Sequence, residues 1–286
     1  MSLFELDLDP VPKAQRILHY FATFNAASVT SETVHRTTSF LKSSKLFVLY
    51  RIWASEHPEH HSIMMPHLEN WLAISEADFN HEQHRLSEEK SQAQSSMIAE
   101  LIRQTTISRA RSYISVGNLE SAYTALTDLR DFIGSSSTTL ELFYLLALIC
   151  CYMDKYGEAL VHIDRTTVLL RDLASGSSIS QDIAEQYAQK VELTRALALF
   201  HQDKCSDALP LFIKAVTHEI SLRELVSLSE IVVYSCFCAL KVEKSEWISS
   251  HINENYIFRN LLSDEPLISQ LVMTFSRLEF ASLSRS

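Results

Sequence analysis

Apolar residues recur along most of this chain three or four positions apart, the spacing of a helix, and seldom alternate as in a half-buried strand. After Pro10 and Pro12, the residues Ile17, Leu18, Phe21 and Phe24 share one face and predict a first helix. SETVHRTTSFLKSSKLFVLYRIWASEH, opening on Ser31 as an N-cap, predicts two more, the second around Leu46, Leu49, Tyr50 and Trp53. HPEHHSIMMP, from His57 to Pro66, reads as a loop. His67 to Val116 contains neither Gly nor Pro, which predicts one long helix or two nearly continuous ones. Its middle, SEEKSQAQSS, is polar all round, and a helix with no apolar face bridges through solvent or breaks. A boundary is therefore expected there, closing an N-terminal helical region at residues 1–95.

A chain with only four glycines places one of them, Gly117, between two helical stretches in ARSYISVGNLESAYTALTDL. Ala110, Tyr113, Leu119, Ala122 and Leu126 surround it, and the same spacing returns thirty-seven residues later at Ala147, Cys150, Tyr156, Ala159 and Ile163. A third copy, forty-nine residues further on, holds Ala196, Leu199, Cys205, Ala208 and Phe212, and the Ser-rich LASGSSISQD accounts for the longer interval. Small residues on two antiparallel helices let their backbones approach, while a larger apolar residue fills the space beside them. Gly117 ends its helix because the position after a helix often takes positive φ. Asp154 and Asp203 stand in the same place, and Asp tolerates left-handed φ better than most residues. The pattern resembles the tetratricopeptide repeat, whose period is about 34 residues. It predicts an all-α fold with repeats over residues 96–220 and a further helical segment over 221–286.

Composition agrees. Gly and Pro are far too scarce for the tight turns of a sheet-rich fold. The net charge is -10, with no Lys/Arg cluster of the kind that displaces counterions, so no nucleic-acid partner is expected. The longest apolar run, Leu142 to Met153, is well short of the ~20 residues of a membrane span, so a buried helix in a soluble protein is expected. Cys150, Cys151, Cys205, Cys236 and Cys238 lie in apolar runs, follow no secretory signal and lack zinc-finger spacing; they read as reduced, buried intracellular thiols.

The last third carries a second pattern: VVYSCFCAL, KVEKSEW, HINENYIFRNLL, DEPLISQLV and FSRLEFASL, in that order. This resembles the stretch before the winged helix in the family of PCI subunits formed by COP9 signalosome subunit 1 and its counterpart in the proteasome regulatory lid. Phe258, Arg259, Glu265 and Pro266 lean toward the signalosome member. The resemblance spans roughly residues 96–286 and implies a right-handed superhelix of tetratricopeptide-like hairpins. It further implies a non-catalytic scaffold in the hetero-oligomer that removes Nedd8 from cullins, in nucleus and cytoplasm. Partners would be the other signalosome subunits and cullin-RING ligases. The family continues into a winged helix, whereas this chain stops at ASLSRS, so that module is expected to be absent.

Enzymatic chemistry finds little support. NHEQH resembles a zincin site, but there the second histidine should stand where Arg85 does. His57, His60, His61, His67, His81 and His84 lack a carboxylate or thiol ligand placed beside them. No glycine-rich phosphate loop or nucleophile elbow occurs, so neither a catalytic residue nor a cofactor is expected. A free peptide-binding adaptor is another use of such repeats. Chaperone-tail binders of this kind resemble one another in a clamp that grips a terminal carboxylate; its five places would fall at Ile107, Arg111, Leu145, Lys190 and Thr194, of which only Lys190 matches. The lid subunit of the proteasome remains the third alternative.

Overall fold

The protein is described by a computed structural model over residues 6–23, 29–129, 136–175, 180–220, 222–242, 256–263 and 269–270. Among these residues it is helical throughout, with Leu222 and Val226 forming an isolated antiparallel bridge in one turn. The described residues fall into two compact units, Asp9–Met153 and, separately, Met1–Leu8 with Asp154–Ser286.

The first unit holds α1 (Pro10–Thr23), α2 (Ser31–Ser44), α3 (Phe47–Glu56), α4 (Pro58–Ser95), α5 (Ala99–Ser115), α6 (Leu119–Thr127) and α7 (Ser136–Tyr152). Its N-terminal core joins Leu18 and Phe21 from α1, Val34 and Leu41 from α2, Phe47, Tyr50 and Trp53 from α3, and Met64, Leu68 and Leu72 from α4. Phe24, expected on the same face of α1, lies outside the described residues. The N-cap of α2 is Thr30 rather than Ser31; its hydroxyl accepts the Thr33 amide. Also from α1, Gln15 donates to the Tyr152 carbonyl at 2.7 Å and so satisfies an acceptor that the end of α7 leaves over.

The expected loop from His57 to Pro66 is instead the start of the longest helix. Pro58 sits in the first turn, where a missing amide costs nothing. Met64, Leu68 and Leu72 recur four apart and are buried, so packing carries the helix through Pro66. The polar stretch from Ser87 to Ser96 does not bridge through solvent. Leu86 and Ala93 are buried, and α4 lies antiparallel to α5, with Gln83 donating to the Ser112 hydroxyl and Phe79 against Tyr113. Its outer face is held by Arg85, which pairs with Glu82 and Glu89 three and four positions away.

The second unit holds α8 (Tyr156–Ser175), α9 (Gln181–His201), α10 (Cys205–Thr217), α11 (Leu228–Lys241) and α12 (Tyr256–Ser263). Successive helices from α8 to α11 pack antiparallel. Arg195 on α9 pairs with Asp164 on α8, Lys214 on α10 with Glu192 on α9, and Lys241 on α11 with Asp203 at the start of α10. Phe200, Phe212 and Tyr234 form a ring cluster across α9, α10 and α11. Buried hydroxyls need no long-range partner: Thr106, Thr166, Thr194 and Ser235 each donate to the carbonyl four residues back.

Candidate interaction surfaces

Several helices end on a residue of positive φ. Gly117, Asp154 and Asp203 have φ of 81°, 58° and 66°. The Gly117 amide donates to the Ile114 carbonyl and the Asn118 amide to that of Tyr113, the paired bonds of a Schellman ending. Asp203 and Lys204 make the same pair with Phe200 and Leu199. Met97 and Glu219, at φ 52°, end α4 and α10 with left-handed residues that the sequence pattern did not single out.

The small and large residues of the recurring pattern occupy the interior. In the first copy Ala110, Ala122 and Leu126 are fully buried, and Tyr113 is half-buried, its hydroxyl accepting from Arg109. Ala147 and Cys150 are fully buried on α7. On α8, Ala159 and Ile163 are buried, while Tyr156 stacks flat on His201 of α9 at 4.1 Å and donates to Asp154 at 2.8 Å. Ala196, Ala208 and Phe212 are fully buried where α9 meets α10. Cys205 and Leu199 lie at the same interface, the latter half-buried.

Gly117 does more than end α5. A Cβ there would stand 2.4 Å from the Leu49 Cβ. The neighbouring Val116 carbonyl accepts the Val48 and Leu49 amides at 3.1 and 3.3 Å, within the first turn of α3. Leu46, the N-cap of α3, makes no side-chain cap bond, so this carbonyl from α5 supplies the acceptor instead. Nothing local in the sequence announces that contact.

The histidines have structural neighbours. His60 is buried edge-on to Phe21 and Trp53, and His57 packs on Trp53. The Tyr50 hydroxyl and His61 Nδ1 lie 2.9 Å apart. Burial pushes the Tyr50 phenol up to about 12, so it is neutral in this contact. Among the described residues, no three His, Cys, Asp or Glu side chains gather closely enough to hold a metal ion. The clamp positions have structural roles within their own units. Ile107, Leu145 and Thr194 are buried, Arg111 pairs with Glu141, and Lys190 pairs with Glu224 at 2.7 Å.

Among the described residues, a groove and a hairpin tip offer surfaces to a partner. A groove of about 510 Å³ runs between α3 and α4, lined by Ala54, His61, Met65 and Leu72 and bordered by the two-pronged Arg51–Glu76 pair. That pair holds the Glu76 carboxyl below its usual range and the Arg51 guanidinium above its own, mainly through the hydrogen bonds between them. The second is the tip of the α4–α5 hairpin, where Met97 is 89% and Ile98 52% exposed, with Leu101 beside them. Apolar side chains presented together at a hairpin tip are the usual material of a protein contact. No helix among the described residues is long and apolar enough to cross a membrane.

Of the C-terminal motif residues, Phe258 is buried on α12 and Arg259 is exposed; Glu265, Pro266 and the FSRLEFASL stretch lie outside the described residues.

This succession of helices coincides with a known family. A family model described as 26S proteasome subunit RPN7 matches residues 69–246, from within α4 to just past α11. COP9 signalosome complex subunit 1b of Drosophila melanogaster is 23% identical over 198 residues, 69% of this chain and 37% of that protein. COP9 signalosome complex subunit 1 of Emericella nidulans is 22% identical over 213 residues, 74% of this chain and 41% of that protein. The chain thus spans less than half the length of these curated relatives. With more than half of its residues matched by one family model, the chain belongs to the 26S proteasome subunit RPN7 family.

Proposed function

We propose that this protein is a non-catalytic scaffold subunit of a COP9 signalosome-type complex, acting through protein–protein contacts in the removal of Nedd8 from cullin-RING ubiquitin ligases. The observation that carries this reading is the likeness to signalosome subunit 1 from both a fly and a fungus over some 70% of the chain. The side chains support it. The small residues of the repeats are buried as packing, and His57 and His60 pack on the core ring of Trp53, while His67, His81 and His84 are exposed. The apolar tip at Met97 and Ile98 and the α3–α4 groove offer contact surfaces within one unit. The partners on this reading are the other signalosome subunits and, through them, cullin-RING ligases, in nucleus and cytoplasm.

Affinity purification of the tagged chain from its own cells, with mass spectrometry of what accompanies it, tests the reading. Signalosome subunits in stoichiometric amount are the expected result. Their absence, with the protein folded and abundant, overturns it. A second reading, a scaffold of the proteasome regulatory lid, is favoured by the description of the matching family model itself. Recovery of lid subunits in place of signalosome subunits would establish that alternative.

A further inference from the structure

The walls of the α3–α4 groove specify what can lie in it. On α4 they form one stripe of the helix, His61, Met65, Glu69, Leu72, Ala73 and Glu76, each three or four positions from another. From His61 to Glu76 this stripe runs about 22 Å, at about 1.5 Å per residue. Small side chains at Ala73 and, on α3, at Ala54 and Ser55 leave the space open, and Met65 and Leu72 line it with apolar surface. Met65 is half-buried and unbranched, so it adapts to what lies against it. Both walls are helices, whose amides and carbonyls are bonded within themselves. An extended peptide would gain no main-chain bonds there, whereas a helix brings its own.

The charge of these walls is one-sided. Between Arg51 and Arg85 the sequence holds neither Lys nor Arg, against Glu56, Glu59, Glu69, Glu76, Asp78 and Glu82. Arg51 is taken by Glu76, and Arg85 by Glu82 and Glu89. Glu69, on the groove stripe, is exposed and has no basic partner among the described residues. An occupant that covers it without bringing a cation leaves a carboxylate desolvated and unpaired.

We propose that the α3–α4 groove docks an amphipathic helix of a partner protein, with apolar residues three and four apart against Met65 and Leu72 and a flanking Lys or Arg paired with Glu69. About fifteen residues of such a helix match the length of the stripe. The docking role rests on the chain being a scaffold, and it adds the chemistry of one contact. Binding of an isolated helix needs no assembled complex. Loss of the groove's selectivity while signalosome subunits still co-purify removes the docking site alone; co-purification can equally fail while the groove binds as expected.

The test uses the full chain and a displayed library of helix-forming peptides of that length, with leucines fixed three and four apart and the flanking positions varied among Lys, Glu and Gln. Selected peptides are labelled, and their binding is followed by fluorescence anisotropy at about 0.15 M salt. Lys should be enriched over Glu on a flank, and Glu69→Lys should weaken the selected peptides about tenfold or more. Asp78→Lys makes the same change of charge at an exposed position about two and a half turns further along α4, on its opposite side. It should leave affinity within about twofold. Ala73→Trp fills the groove and should abolish binding. The proposal is overturned if no peptide is enriched on the wild-type chain or if Glu is enriched as often as Lys. It is overturned as well if Glu69→Lys and Asp78→Lys weaken binding equally, the mark of a diffuse attraction to a chain of net charge -10. Glu69 and Asp78 are both exposed, so their exchanges spare the core and decide the matter even if Ala73→Trp fails to fold.

Discussion

Gly117 lies against Leu49 so closely that a single added carbon would stand 2.4 Å from the Leu49 side chain and 3.0 Å from its amide nitrogen. That relationship ties the end of α5 to the beginning of α3, across more than sixty residues of chain. It also explains why a glycine-poor sequence retains glycine here. The φ of 81° alone would permit Asp or Asn, as Asp154 and Asp203 demonstrate at equivalent turns. The close approach removes those alternatives. Gly117→Ala should therefore lose on two counts, left-handed strain of ~1–2 kcal/mol and overpacking of ~1–3 kcal/mol. Urea melts should place it at least about 2 kcal/mol below wild type. A loss below 1 kcal/mol would mean that α3 moves aside freely.

Glu219 offers the opposite case. It ends α10 at φ 52° with an exposed side chain, and the Ile220 amide closes the turn on the Ala215 carbonyl at 2.8 Å. Relief of left-handed strain outweighs the greater chain entropy of glycine by a small margin. Glu219→Gly is expected to stabilise the protein by roughly 0.5 kcal/mol. A lower denaturation midpoint in the variant would contradict this.

The contrast between these turns shows what the sequence made legible. Gly117, Asp154 and Asp203 were readable because glycine and aspartate have chemical reasons to sit at positive φ, and their shared spacing located three turns. Met97 and Glu219 adopt the same conformation without any such preference, so only the surrounding packing reveals them. The helix through Pro58 and Pro66 was hidden for a related reason. Two prolines and three histidines read as a loop, whereas burial of Met64, Leu68, His60 and Leu72 outweighs the local signal. The recurring alanines were legible as small residues at fixed spacing. The α3–α4 groove and the Val116 cap on α3 were not, since both join residues distant in sequence.

Packing at the recurring positions can be tested in both directions. Leu126 and Phe212 are fully buried, so truncation to alanine should cost ~2–5 kcal/mol through lost burial and the cavity left behind. Enlarging Ala122 or Ala208 to leucine should cost ~1–3 kcal/mol, because neither has room beside it. Val168, on the outer face of α8 and largely exposed, serves as the control; its alanine variant should stay within about 0.5 kcal/mol. Equal melts for Leu126→Ala and Val168→Ala would show that the buried set contributes nothing special.

The start of α11 carries a complete capping box. The Ser227 hydroxyl accepts the Glu230 amide at 3.3 Å, and a Glu230 carboxylate oxygen accepts the Ser227 amide at 2.8 Å. Ser227 is itself buried, so water replaces the lost partner poorly. Ser227→Ala should cost about 1–2 kcal/mol. Because the two bonds form one device, the double variant Ser227→Ala, Glu230→Ala should cost less than the two single losses added together. Strict additivity in a double-mutant cycle would argue that the bonds act separately.

Alkaline pH tests the Tyr50–His61 contact. Burial raises the Tyr50 phenol from its ordinary 10.0 to about 12, which means that the folded state favours the neutral, hydrogen-bonded form. A group raised on folding stabilises fully below its unfolded value and ceases to do so as pH climbs through its folded value. The Tyr50 contribution is therefore whole below pH 10 and disappears by about pH 12, a loss on the order of 2 kcal/mol. Cys236, raised by burial from 9.0 to about 12, adds a fall of the same sign beginning nearer pH 9. Tyr50→Phe separates the two. At pH 7 it should be less stable by about 1 kcal/mol, having lost its bond to His61. Above pH 10 its stability should decline more gently than that of wild type, leaving only the cysteine component, so that the two curves approach and cross before pH 12. Urea midpoints measured from pH 7 to pH 12 decide between this and a phenol that ionises without consequence, for which the two curves would run parallel throughout.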